Sequence, residues 1–399
     1  MLGIVAPVVG SSGATAESWM AYDGSKDGAT TDVTAVNPNL MTRACVLSAS
    51  LGAIVTADSA NSSRPTTMLF DISGTTASHL NTTVLKSATC TSICCSEIDS
   101  RYFLTTFYSS GAKARVVDTN GSTQALVGSE QDISGNVSGG DSALMDLEKM
   151  SGSTDQVIAF SASGDSDLDC SILQANTGTG AVTANTAVSL VNGITVATEV
   201  RAKSYAADKI LAACGDSSGP SLLVGYATRS TTTITAQDEQ SMGVRALYPT
   251  TLDVNDALDT LIVTGSSAAI AGGTGGATTA FTNGTGSSSI TSTPFYTALP
   301  EGMDMGIKMD SDTDYEYWLL VGEVKSKAVS RRYSLRGARW NKAEGGWDQV
   351  GVEVDTGVPK GGNGIHSVYG DMAKISATKA MIALRNSATS RMVCYIANL

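Results

Sequence analysis

The segment ADKILAACGDSSGPSLLVGYAT, from Ala207 to Thr228, has the pattern of a β-hairpin. An apolar run from Ile210 to Cys214 meets a turn of Gly, Asp, Ser and Pro residues, and a second apolar run from Leu222 to Tyr226 follows. Two strand-length runs joined by such residues predict two antiparallel strands and a tight turn.

Related segments recur along the chain and predict a repeat architecture. Clear copies are Arg101 to Asp118, Gln156 to Asn176 and Lys379 to Asn398. The strands that open such hairpins are centred 49 to 62 residues apart, near Ile54, Phe103, Val157, Ile210, Ile262, Leu319 and Met381. A period of about 40 to 60 residues that contains only strands is typical of a β-propeller, with one four-stranded blade per period.

The sequence therefore predicts an all-β fold, a seven-bladed β-propeller of four-stranded antiparallel blades. We divide the chain into an N-terminal arm, residues 1–40, and a propeller, residues 41–399. The last unit ends at Leu399 before a fourth strand. Each desolvated backbone group left unpaired at that edge would cost roughly 1–3 kcal/mol. We therefore expect an N-terminal strand, Gly3 to Val9 or Thr30 to Val36, to close the ring.

The fifth unit departs most from the pattern. Residues Ser266 to Ile290 are rich in Gly, Ser and Thr, which suits either a disordered linker or a hairpin with an eroded turn. Its position in the periodic count favours the hairpin.

Composition limits the partners. The net charge is −12 and the pI is near 4.6, and this balance argues against a general nucleic-acid binder and against a peripheral protein on anionic lipid. No stretch approaches the roughly 20 apolar residues of a membrane-spanning helix, so we expect no membrane insertion. The apolar run Leu2 to Val9 has no preceding Lys or Arg and contains a Pro, which argues against a signal peptide.

The seven cysteines are irregularly spaced, and we expect buried, unpaired thiols in a protein that folds in a reducing cytosol. Cys94 and Cys95 are neighbours in a predicted strand, so their side chains should point to opposite faces of a sheet.

Few residues have the pattern of a catalytic site, and we expect a non-enzymatic protein without a cofactor. The only two histidines, His79 and His366, lie in polar surroundings where surface or pore-lining positions are favoured over catalysis. Nucleotide-binding and metalloprotease motifs are absent from the sequence.

Two runs of alternating aspartates are the metal candidates. A turn that converges such carboxylates can bind Ca²⁺, but both runs lack the glycine and distant glutamate that complete a calcium loop. The stronger candidate run lies in a predicted hairpin turn and contains Asp165, Asp167 and Asp169; the other contains Asp310, Asp312 and Asp314.

Aromatic and basic residues concentrate in the sixth unit. Arg and Trp are the residues most enriched at the energetic centres of interfaces. We expect the segment from Leu335 to Gln349 to be an exposed contact loop. The interface candidates in it are Arg336, Arg339, Trp340 and Trp347.

Two strings that follow the hairpins, STQALVGSEQDISG and RSTTTITAQDEQ, give the chain a family resemblance. Residues 42–399 resemble the propeller blade repeats of tailed-bacteriophage virion proteins, which include tail-fibre, tip and other virion-surface proteins. The resemblance is one of style and period, and no site residue carries over from it.

The resemblance implies a structural or adhesive virion component, assembled in the host cytoplasm as part of a larger assembly. Its partners would be other virion structural proteins or a host surface glycan. The alternatives are a propeller glycosidase or capsule depolymerase, and a secreted lectin-like propeller. A glycosidase needs two carboxylates about 5–10 Å apart, and the sequence does not place such a pair.

Overall fold

The structure is a computed structural model that describes residues 33, 36–135, 137, 145–162, 167–193, 196–205, 208–216, 221–241, 248–255, 260–266, 276–282, 291–298, 303–323, 332–344, 346–360 and 370–399. The described strands form seven antiparallel sheets, numbered here in chain order. Within each sheet every strand pairs with the next one along the chain, except that the last two strands of sheets 3 and 6 both pair with the third strand of their sheet.

Sheets 1 to 4 comprise the first 17 strands. Sheet 1 contains β1 (Pro38–Ser48), β2 (Leu51–Asp58), β3 (Arg64–Asp71) and β4 (Ser78–Val84). Sheet 2 contains β5 (Ser92–Glu97), β6 (Tyr102–Tyr108), β7 (Ala112–Asn120) and β8 (Thr123–Asp132). Sheet 3 contains β9 (Met145–Lys149), β10 (Gln156–Ala162), β11 (Leu168–Ala175), β12 (Val182–Ala184) and β13 (Val188–Val191). Sheet 4 contains β14 (Val196–Tyr205), β15 (Lys209–Asp216), β16 (Ser221–Arg229) and β17 (Ile234–Ser241).

Sheets 5 to 7 comprise the remaining described strands. Sheet 5 contains β18 (Tyr248–Asn255), β19 (Thr260–Ser266), β20 (Gly276–Thr282) and β21 (Thr291–Ala298). Sheet 6 contains β22 (Met303–Ser311), β23 (Tyr315–Glu323), β24 (Arg332–Asn341), β25 (Gly346–Val350) and β26 (Val354–Pro359). Sheet 7 contains β27 (Asp371–Ser376), β28 (Lys379–Asn386) and β29 (Arg391–Asn398).

The sheets are arranged around a common axis. The first strand of each sheet lies beside the first strand of the next, from β1 through β5, β9, β14, β18 and β22 to β27, and β27 lies against β1. The predicted all-β propeller of four-stranded antiparallel sheets is confirmed. The count of seven blades stays a prediction, because strands are assigned only within the described residues.

The hairpins predicted from local pattern are present. β15 pairs with β16 in antiparallel fashion, with Ile210 opposite Ala227 and Cys214 opposite Leu223. β19 pairs with β20, so the fifth unit does form a hairpin. The part of the chain that the structure describes contains no helix long and apolar enough to span a membrane.

Apolar side chains on both faces of a sheet pack against the two neighbouring sheets. Between sheets 1 and 2, Leu69 packs in the same buried cluster as Phe103 and Phe107. Cys95 belongs to this cluster, whereas Cys94 belongs to the cluster between sheets 2 and 3, so the two side chains do point to opposite faces. All seven cysteines are buried, and none of them forms a disulfide bond.

Val33 and Val36 lie beside β29, the last strand of sheet 7. The backbone N–H of Val33 donates to the carbonyl of Met392 at 2.9 Å, and the N–H of Met392 donates to the carbonyl of Val36 at 3.2 Å. Both valines are buried, in a cluster shared by sheets 7 and 1. The predicted closing segment Thr30 to Val36 therefore contacts the last strand, through an isolated bridge at Val33. The other predicted segment, Gly3 to Val9, lies outside the described residues.

Replacing Val36 with aspartate tests this closure. Val36 is 1% exposed, so Val36→Asp places an unpaired charge between sheets 7 and 1. We expect the free energy of unfolding, measured by urea denaturation, to fall by about 3 kcal/mol or more. The control is Val352→Asp, at a side chain that is 64% exposed, which should change it by less than about 0.5 kcal/mol. Equal denaturation midpoints for the two variants would show that the segment does not close the ring.

Candidate functional site: the axis, the sixth sheet and an inter-sheet cleft

Two buried Arg–Asp ion pairs connect first strands of different sheets. Nε of Arg43 on β1 lies 3.5 Å from Oδ1 of Asp146 on β9. Nη1 of Arg201 on β14 lies 3.0 Å from Oδ1 of Asp371 on β27. The four side chains are only 3% to 11% exposed. The pairs therefore brace sheet 1 against sheet 3, and sheet 4 against sheet 7, through the centre of the ring.

Each aspartate also binds the backbone of the neighbouring first strand. The N–H of Ala202 donates to Oδ2 of Asp146, and the N–H of Ala44 donates to Oδ2 of Asp371, both at 2.8 Å. Burial raises the pKa of Asp146, while the two arginines act in the opposite direction. Because these groups bind one another, the cluster is a brace within the ring. This cluster was not predicted from the sequence, although the dipeptides Arg43-Ala44 and Arg201-Ala202 recur in corresponding first strands.

Two Glu–Lys ion pairs connect the first strands β5, β9 and β14. Nζ of Lys149 lies 3.8 Å from Oε1 of Glu97, and Nζ of Lys203 lies 3.5 Å from Oε1 of Glu148. The pKa of Glu148 is raised to about 7, chiefly by burial; Lys203 lowers it, whereas the nearby carboxylates of Glu97 and Asp146 raise it. Burial also raises the pKa of Glu97.

The prediction of an exposed contact loop in the sixth unit is wrong. Residues Leu335 to Gln349 span most of β24, a turn and β25, so the segment is a hairpin. Trp340 is 1% exposed and packs edge-on against Trp347, with ring centroids 5.2 Å apart. Trp318 joins them in one buried cluster. Trp340 is therefore a core residue, because it lies on the face of β24 that meets Trp318.

The two predicted arginines lie on opposite faces of β24. Nη2 of Arg336 lies 3.1 Å from Oε1 of Glu353. The guanidinium of Arg339 stacks over the ring of Tyr315, 4.1 Å from its centroid. The structure therefore brings Trp340 and Trp347 together but does not gather all four candidates in one patch. An interface in this region stays a prediction.

In the first aspartate run, the carboxylates of the described residues accept hydrogen bonds from nearby groups of the chain. Oδ1 of Asp167 accepts from the N–H of Gly193 at 3.0 Å, and Oδ1 of Asp169 accepts from Oγ of Ser189 at 2.6 Å. Asp165 lies outside the described residues. Within the described ranges, no group of three or more His, Cys, Asp or Glu side chains could hold a metal ion.

The second aspartate run lies at the turn between β22 and β23. Oδ1 of Asp312 accepts from the N–H groups of Asp314 at 2.9 Å and Tyr315 at 2.8 Å. Its Oδ2 accepts from the hydroxyl of Tyr317 at 2.6 Å. Asp312 therefore orders this turn.

The histidine and cysteine side chains described here lie in environments that do not activate them for nucleophilic or acid–base chemistry. Nε2 of His79 lies 2.8 Å from Oγ1 of Thr82 on the same strand, and desolvation lowers its pKa. His366 lies outside the described residues. Burial raises the pKa of Cys90 and of Cys94 to about 12, so these thiols stay protonated at neutral pH.

A cleft of about 460 Å³ opens between sheets 3 and 4. Its polar lining consists of Asn185, Thr186, Thr232 and Thr233. Its aliphatic lining consists of Ile172, Ala184, Val188 and Ile234. None of these eight side chains is charged or aromatic.

An interruption in the outer strand of sheet 3 forms one wall of the cleft. β12 pairs with one end of β11 and β13 pairs with the other, and Asn185 follows directly after β12. The N–H of Asn185 donates to the carbonyl of Ile172 at 2.9 Å, and Oγ of Ser171 donates to the carbonyl of Asn185 at 2.5 Å. Both backbone polar groups of Asn185, its N–H and its carbonyl, are therefore hydrogen-bonded to β11, which fixes the interruption.

The turn between β16 and β17 forms the other wall. Nδ2 of Asn185 donates to the carbonyl of Thr232 at 2.6 Å, and Nε2 of Gln156 donates to the carbonyl of Thr231 at 2.9 Å. Gly225 lets sheet 4 approach closely, because a Cβ there would lie 2.9 Å from Cβ of Leu190 on β13. Sheet 3 therefore holds sheet 4 in place on either side of the opening.

No protein-family model and no curated protein matches the chain. Among solved structures, a candidate 6-phosphogluconolactonase from Bacteroides fragilis is similar at a TM-score of 0.53 and 13% identity, over 78% of this chain and 84% of that one. The WD40 domain of SCAP from fission yeast gives a TM-score of 0.47 at 7% identity, over 94% and 98% of the two chains. The Aleuria aurantia lectin, solved with Fucα1-6GlcNAc, gives 0.47 at 12% identity, over 82% and 100%. At these identities the likeness concerns the fold alone.

The titration of Glu148 gives a prediction for stability. The folded-state pKa of about 7 lies above the ordinary 4.5, so the folded protein holds this proton more tightly than the unfolded chain. The contribution of Glu148 to stability is therefore full below pH 4.5 and is lost as the pH rises to about 7, by at most about 3 kcal/mol. We expect the stability of Glu148→Gln relative to the wild type to rise across this interval in urea denaturation.

The control is Glu130→Gln, which removes a carboxylate that is also 23% exposed and also paired with a lysine, Lys86. It separates the titration of Glu148 from the loss of one Glu–Lys pair. A stability difference between Glu148→Gln and the wild type that stays constant, or falls as the pH rises, would contradict the assignment.

Proposed function

We propose that the chain is a non-enzymatic, adhesive β-propeller that binds a saccharide in the cleft between sheets 3 and 4. The observation that carries this proposal is the lining of the cleft, which combines amide and hydroxyl groups with aliphatic side chains. Saccharides present hydroxyl groups beside C–H surfaces, so they need both kinds of contact. The volume of 460 Å³ lies within the range of about 300–1,000 Å³ typical of small-molecule sites.

The environment of the cleft supports binding without catalysis. Acid–base catalysis on a glycosidic bond requires carboxyl groups beside the ligand, and the cleft lining contains none. Asn185, which lies in the lining, is engaged by backbone and side-chain hydrogen bonds that hold the two walls. A wall held in this way is preorganised, which lowers the entropic cost of binding.

Blocking the cleft tests the function. Thr186 is exposed, so Thr186→Trp should leave the fold intact and fill the cleft. We expect a saccharide identified on a glycan array to bind this variant at least about tenfold more weakly than the wild type in isothermal titration calorimetry, because the sugar ring would clash with the introduced indole. The matched control is Thr183→Trp, at an exposed threonine on β12 that does not line the cleft. Equal affinities for the two variants, or release of reducing sugar by the wild type, would overturn the proposal.

We further propose that the protein acts on the surface of a tailed-phage particle. This placement rests on the resemblance of residues 42–399 to virion blade repeats, and on a rigid ring without a catalytic centre in its cleft. A virion component of this kind would bring the particle to a host surface glycan.

Purified particles test this placement. We expect peptides of the chain in gradient-purified phage particles from the cells that make it, at a constant ratio to the capsid protein by mass spectrometry. An antibody against the chain should decorate the same particles in negative stain. Recovery of the chain only in particle-free fractions would exclude the virion role and leave glycan binding as a separate question.

One observation favours the enzymatic alternative. A carboxyl group with a pKa near 7 suits general acid catalysis, and Glu148 has such a pKa beside Glu97. Each of these carboxylates, however, pairs with a lysine on the first strand of the next sheet, as expected for charges that position strands. Loss of glycan cleavage in Glu148→Gln would support the enzyme instead.

A further inference from the structure

From its lining, we infer that the cleft selects an uncharged sugar that carries a methyl group, as an acetamido or a 6-deoxy substituent, over its plain and its acidic counterparts. This inference rests on the proposed saccharide binding and names the class of ligand. Three features of the cleft support it: its charge, the shape of its apolar wall, and its size.

The charge of the site disfavours an acidic sugar. No Lys or Arg lines the cleft, so a bound carboxylate would lose water without gaining a cation. The net charge of the chain is −12, which adds a long-range repulsion against anions. A neutral ligand meets neither obstacle.

The apolar wall has the shape that suits a methyl group. Sugar faces commonly stack on flat aromatic rings, whereas this wall consists of the branched side chains Ile172, Val188 and Ile234 together with Ala184. Ile172 and Ile234 are only 1% and 9% exposed and lie beneath this wall, so its accessible apolar surface comes mainly from Ala184 and from Val188, which packs against the same core cluster. A small methyl group can pack closely against such branched aliphatic side chains, which offer no flat ring for the face of a sugar to stack on.

The remaining groups suit the polar part of the same ligand. Thr186, Thr232 and Thr233 carry hydroxyls that can donate or accept, and all three are exposed at the opening. A cleft of 460 Å³ is near the lower end of the range for small-molecule sites, so it fits a short saccharide rather than a long chain.

Paired sugars test the preference on the wild-type protein. The probes are N-acetylglucosamine against glucose, L-rhamnose against L-mannose, and glucuronic acid, each titrated by calorimetry. We expect at least one methyl-bearing sugar to bind about 4- to 10-fold more tightly than its counterpart, the gain for burying one methyl group. Glucuronic acid should bind at least about tenfold more weakly than glucose. The two pairs distinguish an acetamido from a 6-deoxy source of the methyl group.

A near-isosteric substitution locates the methyl contact. Val188→Thr exchanges one methyl of the wall for a hydroxyl and should reduce the preference within the selected pair at least twofold. The control is Val352→Thr, in the corresponding interruption of sheet 6 between β25 and β26, which should leave the preference unchanged. Saturation-transfer NMR should give its strongest signal at the methyl protons of the bound sugar.

The outcomes separate the two proposals. Suppose that Thr186→Trp abolishes binding, but that the wild type shows no methyl preference or that Val188→Thr leaves the preference unchanged. This result overturns the ligand class and leaves saccharide binding in place. Tighter binding of glucuronic acid than of glucose also overturns the ligand class. If none of the sugars on the array or in these pairs binds the wild type, both proposals are wrong.

Discussion

The two Arg–Asp pairs at the axis are the interaction on which the rest of the ring depends. A propeller places the first strands of its sheets close together, where twisted sheets leave gaps between backbones. Asp146 and Asp371 each bridge such a gap by accepting a backbone N–H of the next first strand. Arg43 and Arg201 then connect these aspartates to sheets farther round the ring. Removing one partner of a buried pair leaves an uncompensated charge that costs about 3–5 kcal/mol, so the four residues stabilise the ring only as a set.

A ring braced at its centre permits irregular structure at its rim. The outer strands of sheets 3 and 6 are both interrupted, the first between β12 and β13 and the second between β25 and β26. In sheet 6, Glu353 lies in the interruption and pairs with Arg336. In sheet 3, the corresponding residues are neutral, and the cleft opens beside them. The same local departure from the blade pattern therefore yields an ion pair in one sheet and a candidate binding site in the other.

The fold could be predicted from the sequence because hairpins depend on residues that are near each other in the chain. The pairing of β15 with β16 follows directly from two apolar runs and a turn. The axial pairs could not be predicted in the same way, since Arg201 and Asp371 are 170 residues apart and meet only once the ring is closed. Trp340 shows a different limit. A high density of Arg and Trp indicated a surface, but the alternation along β24 places Trp340 on the buried face with Trp318.

The cleft was also beyond prediction from the sequence, because it depends on a strand that stops and resumes. Asn185 has no motif around it, and its importance comes from Ser171 and Thr232, which lie on different sheets. The charged residues described at the centre of the ring pair largely with one another, and the lining at the rim is uncharged. The ion pairs near the axis position the sheets. The cleft between sheets 3 and 4, by contrast, offers only uncharged groups, so that binding there depends on shape and hydrogen bonds.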